Sequence, residues 1–134
     1  MVERQIRVMH VDSDRTNKLL IRRVVWREFP HVDLINVSNG HQALWEAQRR
    51  DYDAFIIDLR LPDMQGDTLI ALLRAEYNLK DKWIVALSGD LQREHLHSSL
   101  PEGADQLVAK PTTLVAFVDI LRRALQGQEP DALH

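Results

Sequence analysis

Five short apolar runs alternate along the chain with segments of helical periodicity, and this alternation limits the possible folds more than any other feature of the sequence. The runs predict strands at Ile6–Val11, Val32–Val37, Asp53–Asp58, Trp83–Ser88 and Gln106–Lys110. Strands that are joined by helical crossovers pair in parallel, and a parallel sheet needs cover on both faces. The sequence therefore predicts a (βα)5 domain of the α/β class, with helices on both sides of one sheet.

Apolar stripes at helical spacing predict four of the five helices. In chain order they are Leu19, Leu20, Val24 and Val25; Ala43, Leu44 and Ala47; Leu69, Leu72 and Leu73; and Leu114, Phe117, Val118 and Leu121. We expect these stripes to cover the sheet, and Thr112 or Thr113 to cap the last helix with a hydroxyl. Segment 90–100 has few large apolar residues and predicts a weakly amphipathic fourth helix.

Length and composition indicate one globular domain, because the chain has 134 residues of which 45% are hydrophobic and 28% charged. We expect this domain in residues 1–126 and a flexible tail or the start of a linker in 127–134. A net charge of −3 does not favour direct binding of nucleic acid. No apolar stretch reaches the roughly 18 residues of a membrane span, and the charged start lacks a signal-peptide pattern, so we expect a cytoplasmic location.

Chemically reactive side chains follow the predicted strands at their carboxyl ends, where open parallel sheets bind ligands. Asp12 and Asp14 follow the first strand, Asp58 closes the third, Ser88 the fourth and Lys110 the fifth. Carboxylates from two strands can share Mg²⁺, and an aspartate can accept a phosphoryl group whose charge a metal, an ammonium and a hydroxyl stabilise. The pattern predicts a phosphoryl-transfer site with Asp58 as the acceptor.

The segment Asp53–Gly66 resembles the central motif of the receiver domains of two-component response regulators, of the chemotaxis-regulator type. Val11-Asp12 resembles the acidic corner of that family, Ala86–Gly89 its hydroxyl-bearing strand end, and Lys110-Pro111 its lysine-proline turn. The acceptor, hydroxyl and lysine positions are separated by 30 and 22 positions, which is the usual arrangement in the family. The resemblance covers nearly the whole chain.

The resemblance implies a flavodoxin-like three-layer sandwich with a five-stranded parallel sheet in the order 2-1-3-4-5. It also implies that Asp58 takes a phosphoryl group from the phosphohistidine of a histidine kinase, with Lys110 and Ser88 contacting that group. Mg²⁺ would be bound by Asp12, Asp58 and the backbone carbonyl of Arg60. Such a domain catalyses its own phosphorylation and dephosphorylation, and is not a conventional enzyme.

The resemblance further implies that Pro62 and Gly66 shape the loop after the acceptor, and that Pro111 shapes the turn after Lys110. The expected partners are a histidine kinase or phosphotransfer domain, and a downstream effector domain or protein. The effector would bind the face made by the fourth helix, the fifth strand and the last helix. The sequence leaves open a homodimer, and whether the receiver stands alone or belongs to a DNA-binding regulator or a hybrid histidine kinase.

Two positions depart from the family pattern. Ser13 stands where most receivers have a second acid, and Leu107 stands where an aromatic residue usually changes rotamer. A hydroxyl is a poorer Mg²⁺ ligand than a carboxylate, so the loss could cost ~10–100-fold in affinity, and Asp14 is expected to cap the first helix rather than compensate. The alternative function is a pseudo-receiver, a protein-binding module with impaired Mg²⁺-dependent phosphorylation.

Three further expectations concern single side chains. Arg60 and Asp90 are predicted to pair across the entrance and restrict the hydrolytic water, against the alternative of two solvated charges. His10, inside the first strand, is expected to be buried with its hydrogen bonds satisfied rather than to act as a ligand or phosphodonor. The tryptophans are expected to pack in the core or an interface; they are Trp26, Trp45 and Trp83.

Overall fold

A computed structural model of the chain describes residues 5–76, 79–89, 100–110 and 113–126. Its elements in chain order are β1 (Ile6–Val11), α1 (Arg15–Glu28), β2 (Val32–Val37), α2 (Gly40–Arg49), β3 (Ala54–Asp58), α3 (Gly66–Glu76), β4 (Trp83–Ser88), β5 (Gln106–Ala109) and α4 (Leu114–Gln126). Helix α4 is the last of the predicted helices. The fourth predicted helix, apart from its final residue 100, and the predicted tail lie outside the described residues.

All five strands pair in parallel, in the order β2-β1-β3-β4-β5. The register places Val8 of β1 beside Leu34 of β2 and Ala54 of β3. Because the strands run in one direction, their carboxyl ends meet at one edge of the sheet. The predicted fold class and strand order are confirmed, and the predicted strand bounds differ only at the start of β3 and the end of β5, by one residue each.

The central strands β3 and β4 are buried on both faces of the sheet, which agrees with their almost continuously apolar sequences. Successive side chains of a strand point to opposite faces, so Val8 packs towards α1 and α4 whereas Met9 and Val11 pack towards α2 and α3. The central strand β3 is buried along its whole length. The chain therefore has two apolar layers that share one sheet.

The predicted stripe of α1 is confirmed at Val24 and Val25, which are buried, and at Leu20, which is partly buried, but it is wrong at Leu19. The buried face consists of Asn17, Ile21, Val24 and Val25, whereas Leu19 is 62% exposed. Each residue turns a helix by about 100°, so the stripe that starts at Ile21 faces the sheet and Leu19 faces outward. Leu114, the first residue of α4, is also exposed.

Two of the three tryptophans do not pack in the core, and packing in an interface stays a prediction for them. Trp26 on α1 is 80% exposed and Trp45 on α2 is 55% exposed. Arg49 stacks over the Trp45 ring, 4.3 Å from its centroid, so this ring is partly covered by its own helix. Trp83 is half-buried against the layer formed with α1 and α4.

Side-chain caps begin three helices where the sequence has Asp, Asn or Thr. Asp14 Oδ1 accepts from the backbone N–H of Asn17, and Asn39 Oδ1 accepts from that of Gln42. Thr113 Oγ1 accepts from the N–H of Ala116, which confirms one of the two predicted caps of the last helix. Within the described part of the chain, no helix is long and apolar enough to cross a bilayer.

Candidate functional site

A cavity of about 1010 Å³ opens at the carboxyl edge of the sheet. Seven residues that the sequence singled out line it: Ser13, Asp14, Asp58, Arg60, Pro62, Ser88 and Lys110. The topology explains this convergence, because β3, β4 and β5 are neighbours and β1 lies beside β3. The structure therefore brings together, in one cavity, side chains that are far apart in the sequence.

Asp58 is held at both of its carboxylate oxygens. Its Oδ2 lies 2.9 Å from Lys110 Nζ, and its Oδ1 accepts a hydrogen bond of 3.0 Å from the backbone N–H of Arg60. Lys110 is placed by its own backbone, whose N–H donates to the carbonyl of Ser88 at the end of β4. The Asp58 side chain is 7% exposed and that of Lys110 is 18% exposed, so solvent screens this pair little. The carboxylate is thus fixed at the floor of the cavity.

Asp12 is fully buried beside this pair. Its Oδ1 accepts from the backbone N–H of Asp14, its Oδ2 accepts from the Asn17 side chain, and Lys110 Nζ lies 3.8 Å from Oδ2. Burial is the largest single influence on the pKa of Asp12 and by itself raises it. The contact with His10, the N–H of Asp14 and the charge of Lys110 outweigh burial and lower the pKa from 3.8 to about 2. Asp12 is therefore a buried carboxylate that stays charged.

Ser13 and Asp14 come directly after the acidic corner. Ser13 is exposed and lines the cavity, where its side chain offers a hydroxyl. Asp14 Oδ1 accepts from the N–H of Asn17 as the cap of α1, as expected. Asp14 therefore uses one carboxylate oxygen as a helix cap and also lines the cavity, so compensation for Ser13 stays untested.

The loop after Asp58 is tight because Gly66 allows it. Arg60 and Gln65 form an isolated antiparallel bridge, and the N–H of Gly66 donates to the carbonyl of Leu59. A Cβ atom at Gly66 would lie 2.5 Å from Leu59 Cα and would overlap the carbonyl oxygen of Asp58. Glycine is needed here for close approach of two backbones.

Asp63 is a contributor to this loop that the sequence pattern did not single out. Its carboxylate accepts from the backbone N–H groups of Gly40 and His41 and contacts His41 Nδ1, which joins the loop to the start of α2. Burial pushes the pKa of Asp63 upward, but these hydrogen bonds outweigh it and lower the pKa from 3.8 to about 2. The sequence shows Asp63 only as an acidic residue in a loop, and this does not indicate which groups it contacts.

The remaining predicted positions lie around the other side of the site. Ser88, which ends β4, is half-buried and lines the cavity. Leu107 lies opposite Ala86 in the β4–β5 ladder and packs, partly buried, against the layer formed with α2 and α3. Asp90 and Pro111 lie outside the described residues, so the expected pairing of Asp90 with Arg60 stays a prediction.

His10 is buried as expected, but only one of its ring nitrogens is hydrogen-bonded. Its Nδ1 lies 3.0 Å from the Asn36 side-chain amide. Its Nε2 lies 3.4 Å from Asp12 Oδ2, and among the described residues it has no hydrogen-bond partner. The expectation that both nitrogens are satisfied is therefore wrong for Nε2.

The donor set of the cavity suits a hard cation such as Mg²⁺. Asp58, Arg60 and Ser13 line the cavity and carry oxygen atoms, and the buried Asp12 carboxylate lies 3.8 Å from Lys110 Nζ. Among the described residues, no three histidine, aspartate or glutamate side chains form a cage for a metal. Mg²⁺ does not require one, because it usually binds one or two carboxylates together with water and phosphate oxygens. The residues therefore fit Mg²⁺ but not a metal held by protein ligands alone.

Comparison with known proteins gives the family. The family model of the response regulator receiver domain matches residues 8–122. With this match, the strand order and the arrangement of Asp12, Asp58, Ser88 and Lys110, the chain belongs to the response regulator receiver domain family.

Similar proteins include both long and short chains. The sensory/regulatory protein RpfC of Xanthomonas campestris pv. campestris is 28% identical over 120 residues, which are 88% of this chain and 16% of RpfC. Chemotaxis protein CheY-3 of Vibrio cholerae is 21% identical over 126 residues, which are 94% of this chain and 96% of CheY-3. The chain thus spans about a sixth of the first relative and almost all of the second.

A solved structure with the same fold holds a metal ion. It is the receiver domain of the sensor histidine kinase PA1611 from Pseudomonas aeruginosa, with a magnesium ion coordinated in the active site cleft. The TM-score is 0.77 at 26% sequence identity, over 90% of this chain and 98% of that one.

Proposed function

We propose that this receiver domain accepts a phosphoryl group on Asp58 from the phosphohistidine of a histidine kinase or a phosphotransfer domain. The observation that carries the proposal is the 2.9 Å pair between Asp58 Oδ2 and Lys110 Nζ at the floor of an open cavity. A carboxylate that is fixed beside one ammonium can act as a nucleophile, and the same ammonium can stabilise the transferred group.

The transfer forms one bond and breaks one. A carboxylate oxygen of Asp58 attacks phosphorus, the P–N bond to the donor histidine breaks, and the departing imidazole takes up a proton. Lys110 and Ser88 contact the phosphoryl oxygens and stabilise their charge, which is the main catalytic contribution in phosphoryl transfer. Mg²⁺ bound by Asp12, Asp58 and the Arg60 carbonyl would supply positive charge to these oxygens. Attack of water on the acyl phosphate breaks the bond between phosphorus and the carboxylate oxygen, releases inorganic phosphate and restores Asp58.

Residue 107 bears on how phosphorylation would reach the effector. In a receiver with an aromatic residue at this position, the ring can follow the movement of the hydroxyl residue. Leu107 has no ring and already packs in the apolar layer under β5. We infer that phosphorylation reaches the effector through the Ser88 loop and the described end of β5, with a smaller contribution from residue 107.

The test is the intact mass of the protein after incubation with acetyl phosphate, with and without Mg²⁺. We expect one phosphoryl increment that requires Mg²⁺ and is absent in Asp58→Asn. Asp67→Asn is the matched control, because Asp67 lines the same cavity without contacting Lys110 in the described contacts. An increment that persists in Asp58→Asn would contradict the proposal.

The second candidate is a pseudo-receiver that binds proteins without using phosphate. The observation that favours it is Ser13, which reduces the negative charge available to Mg²⁺ at the cavity. A folded wild-type protein that shows no increment at any Mg²⁺ concentration would favour this alternative over the phosphoacceptor.

A further inference from the structure

A row of polar side chains leads from the surface of α1 through two strands to Asp12. The guanidinium of Arg22 donates to Asn36 Oδ1 at 2.6 Å, and Asn36 Nδ2 lies 3.0 Å from His10 Nδ1. His10 Nε2 lies 3.4 Å from Asp12 Oδ2. His10 and Asn36 are direct neighbours in the β1–β2 ladder, and His10 and Asp12 share one face of β1 because side chains alternate.

The direction of these hydrogen bonds follows from the chemistry of arginine. A guanidinium only donates, so the amide oxygen of Asn36 must face Arg22 and its NH₂ group must face His10. The nitrogen Nδ1 of His10 is then an acceptor. In a neutral imidazole the proton therefore sits on Nε2, the nitrogen that faces Asp12.

Packing keeps the His10 ring in this orientation. The side chain is 0% exposed, and its ring meets that of Phe117 edge to face, with centroids 6.0 Å apart. A buried N–H without an acceptor is costly, and within the described part of the chain Nε2 has no hydrogen-bond partner. Asp12 Oδ2, which lies 3.4 Å from Nε2, is the acceptor within reach of this N–H.

We propose that His10 is a positioning residue, whose Nε2–H holds the Asp12 carboxylate in place beside Lys110 for binding of Mg²⁺. This inference rests on the proposed function. Two acids, Asp12 and Asp14, follow β1, and Asp14 caps α1. Ser13, which lies between them, supplies no charge. Binding of Mg²⁺ should therefore depend more strongly on the orientation of the Asp12 carboxylate. Hydrogen-bonded partners of metal ligands commonly matter in this way, because they fix ligand orientation.

The first test is independent of metal and phosphate. Nitrogen-15 NMR of histidine-labelled protein distinguishes the two neutral tautomers and the protonated ring, and the His10 signals are identified by their absence in His10→Phe. We expect the Nε2–H tautomer at neutral pH. An Nδ1–H tautomer, which leaves Nε2 without a proton, would overturn the proposal.

The second test is Mg²⁺ titration followed by amide chemical shifts. His10→Phe keeps an aromatic ring against Phe117 but removes both nitrogens, and we expect it to bind Mg²⁺ about 10-fold more weakly. Asn36→Val keeps the His10 ring but removes the amide that is hydrogen-bonded to its Nδ1. It should also weaken Mg²⁺ binding, but by less than His10→Phe does. His31→Phe, at an exposed position before β2, is the control and should leave affinity unchanged.

The outcomes separate this inference from the proposed function. Unchanged affinity in folded His10→Phe, with Mg²⁺ binding in the wild type, overturns the role of His10 and leaves the phosphoacceptor intact. A wild type that binds no Mg²⁺ overturns both. If His10→Phe does not fold, Asn36→Val decides: unchanged affinity there overturns the inference.

Discussion

At the scale of single residues, Ser13 places a neutral hydroxyl in the cavity lining at a position where a carboxylate would add negative charge. We expect Ser13→Asp to bind Mg²⁺ ~10–100-fold more tightly, because it adds a hard anionic ligand beside Asp58. Mg²⁺ titration measures the effect. Thr68→Asp adds the same charge on the exposed surface of α3 and should change affinity little. Equal gains in the two variants would show that net charge, not coordination, is responsible.

Gly66 is the residue at which space is most limited. In Gly66→Ala the new methyl group would overlap the backbone of Asp58 and Leu59, so the loop must shift. We expect a loss of about 1–3 kcal/mol in the free energy of unfolding, measured by urea denaturation. Gly89→Ala is the control, since a Cβ there meets none of the described residues within 4 Å. Equal losses in the two variants would argue against the clash.

At the scale of elements, Arg74 on α3 links the segment before β4 to the segment before β5 through hydrogen bonds. Its guanidinium donates to the carbonyl of Gly103 before β5 and to the carbonyls of Leu79 and Lys82 before β4, and it pairs with Asp105. The planar guanidinium can reach all of these at once because its donors point in several fixed directions.

Arg74→Lys should therefore be destabilising although it keeps the charge. A lysine offers one ammonium in place of the planar guanidinium, so some of the carbonyl groups lose their donor. We expect the free energy of unfolding to fall by about 1–3 kcal/mol. Urea denaturation measures this. Arg123→Lys is the matched control, because Arg123 pairs with Asp119 on the exposed face of α4 and such pairs contribute little. An unchanged free energy of unfolding in Arg74→Lys would show that the guanidinium geometry is not needed for stability.

The contact between the β3–α3 loop and α2 should depend on pH. The pKa of Asp63 is about 2 in the folded chain against 3.8 for the free group, so the unfolded chain binds the proton first as pH falls. The stability that Asp63 contributes is fully present above pH 3.8 and is lost as the pH falls towards 2.

The measurement is the urea midpoint of wild type and Asp63→Ala between about pH 6 and about pH 2. We expect the difference between the two proteins to shrink as pH falls. Asp81→Ala, in the turn before β4, controls for loss of a negative charge. A difference that stays constant with pH would contradict the role of the Asp63 carboxylate.

At the scale of the whole molecule, the two apolar layers should unfold together. Ile21 packs in the layer with α1 and α4, and Leu69 in the layer with α2 and α3, but both layers rest on the same strands. We expect Ile21→Ala and Leu69→Ala each to lower the unfolding free energy by about 2–5 kcal/mol. Fluorescence and far-ultraviolet circular dichroism should give one coincident urea transition for each variant, and separate transitions would contradict a shared sheet.

Much of the fold and of the cavity could be predicted because the signals are local or repeated. Apolar runs of strand length and the turns between them predicted all five strands, and parallel pairing followed from the helical connections. The rule that ligands bind at carboxyl ends then placed Asp58, Ser88 and Lys110 together. The buried face of α1 was harder to predict, because Leu19 and Ile21 are similarly apolar. Only the packing of the helix on the sheet shows which of the two side chains is buried.

The order of elements, the parallel sheet and the identity of the side chains at its carboxyl edge could be read from the amino-acid sequence, because each depends on patterns within a few residues. Tertiary structure decided the contacts between distant positions. His10 and Asn36 are 26 positions apart, Gly40 and Asp63 are 23 apart, and Arg74 and Gly103 are 29 apart. Such pairs arise from strand register and helix docking, which a periodic pattern does not encode.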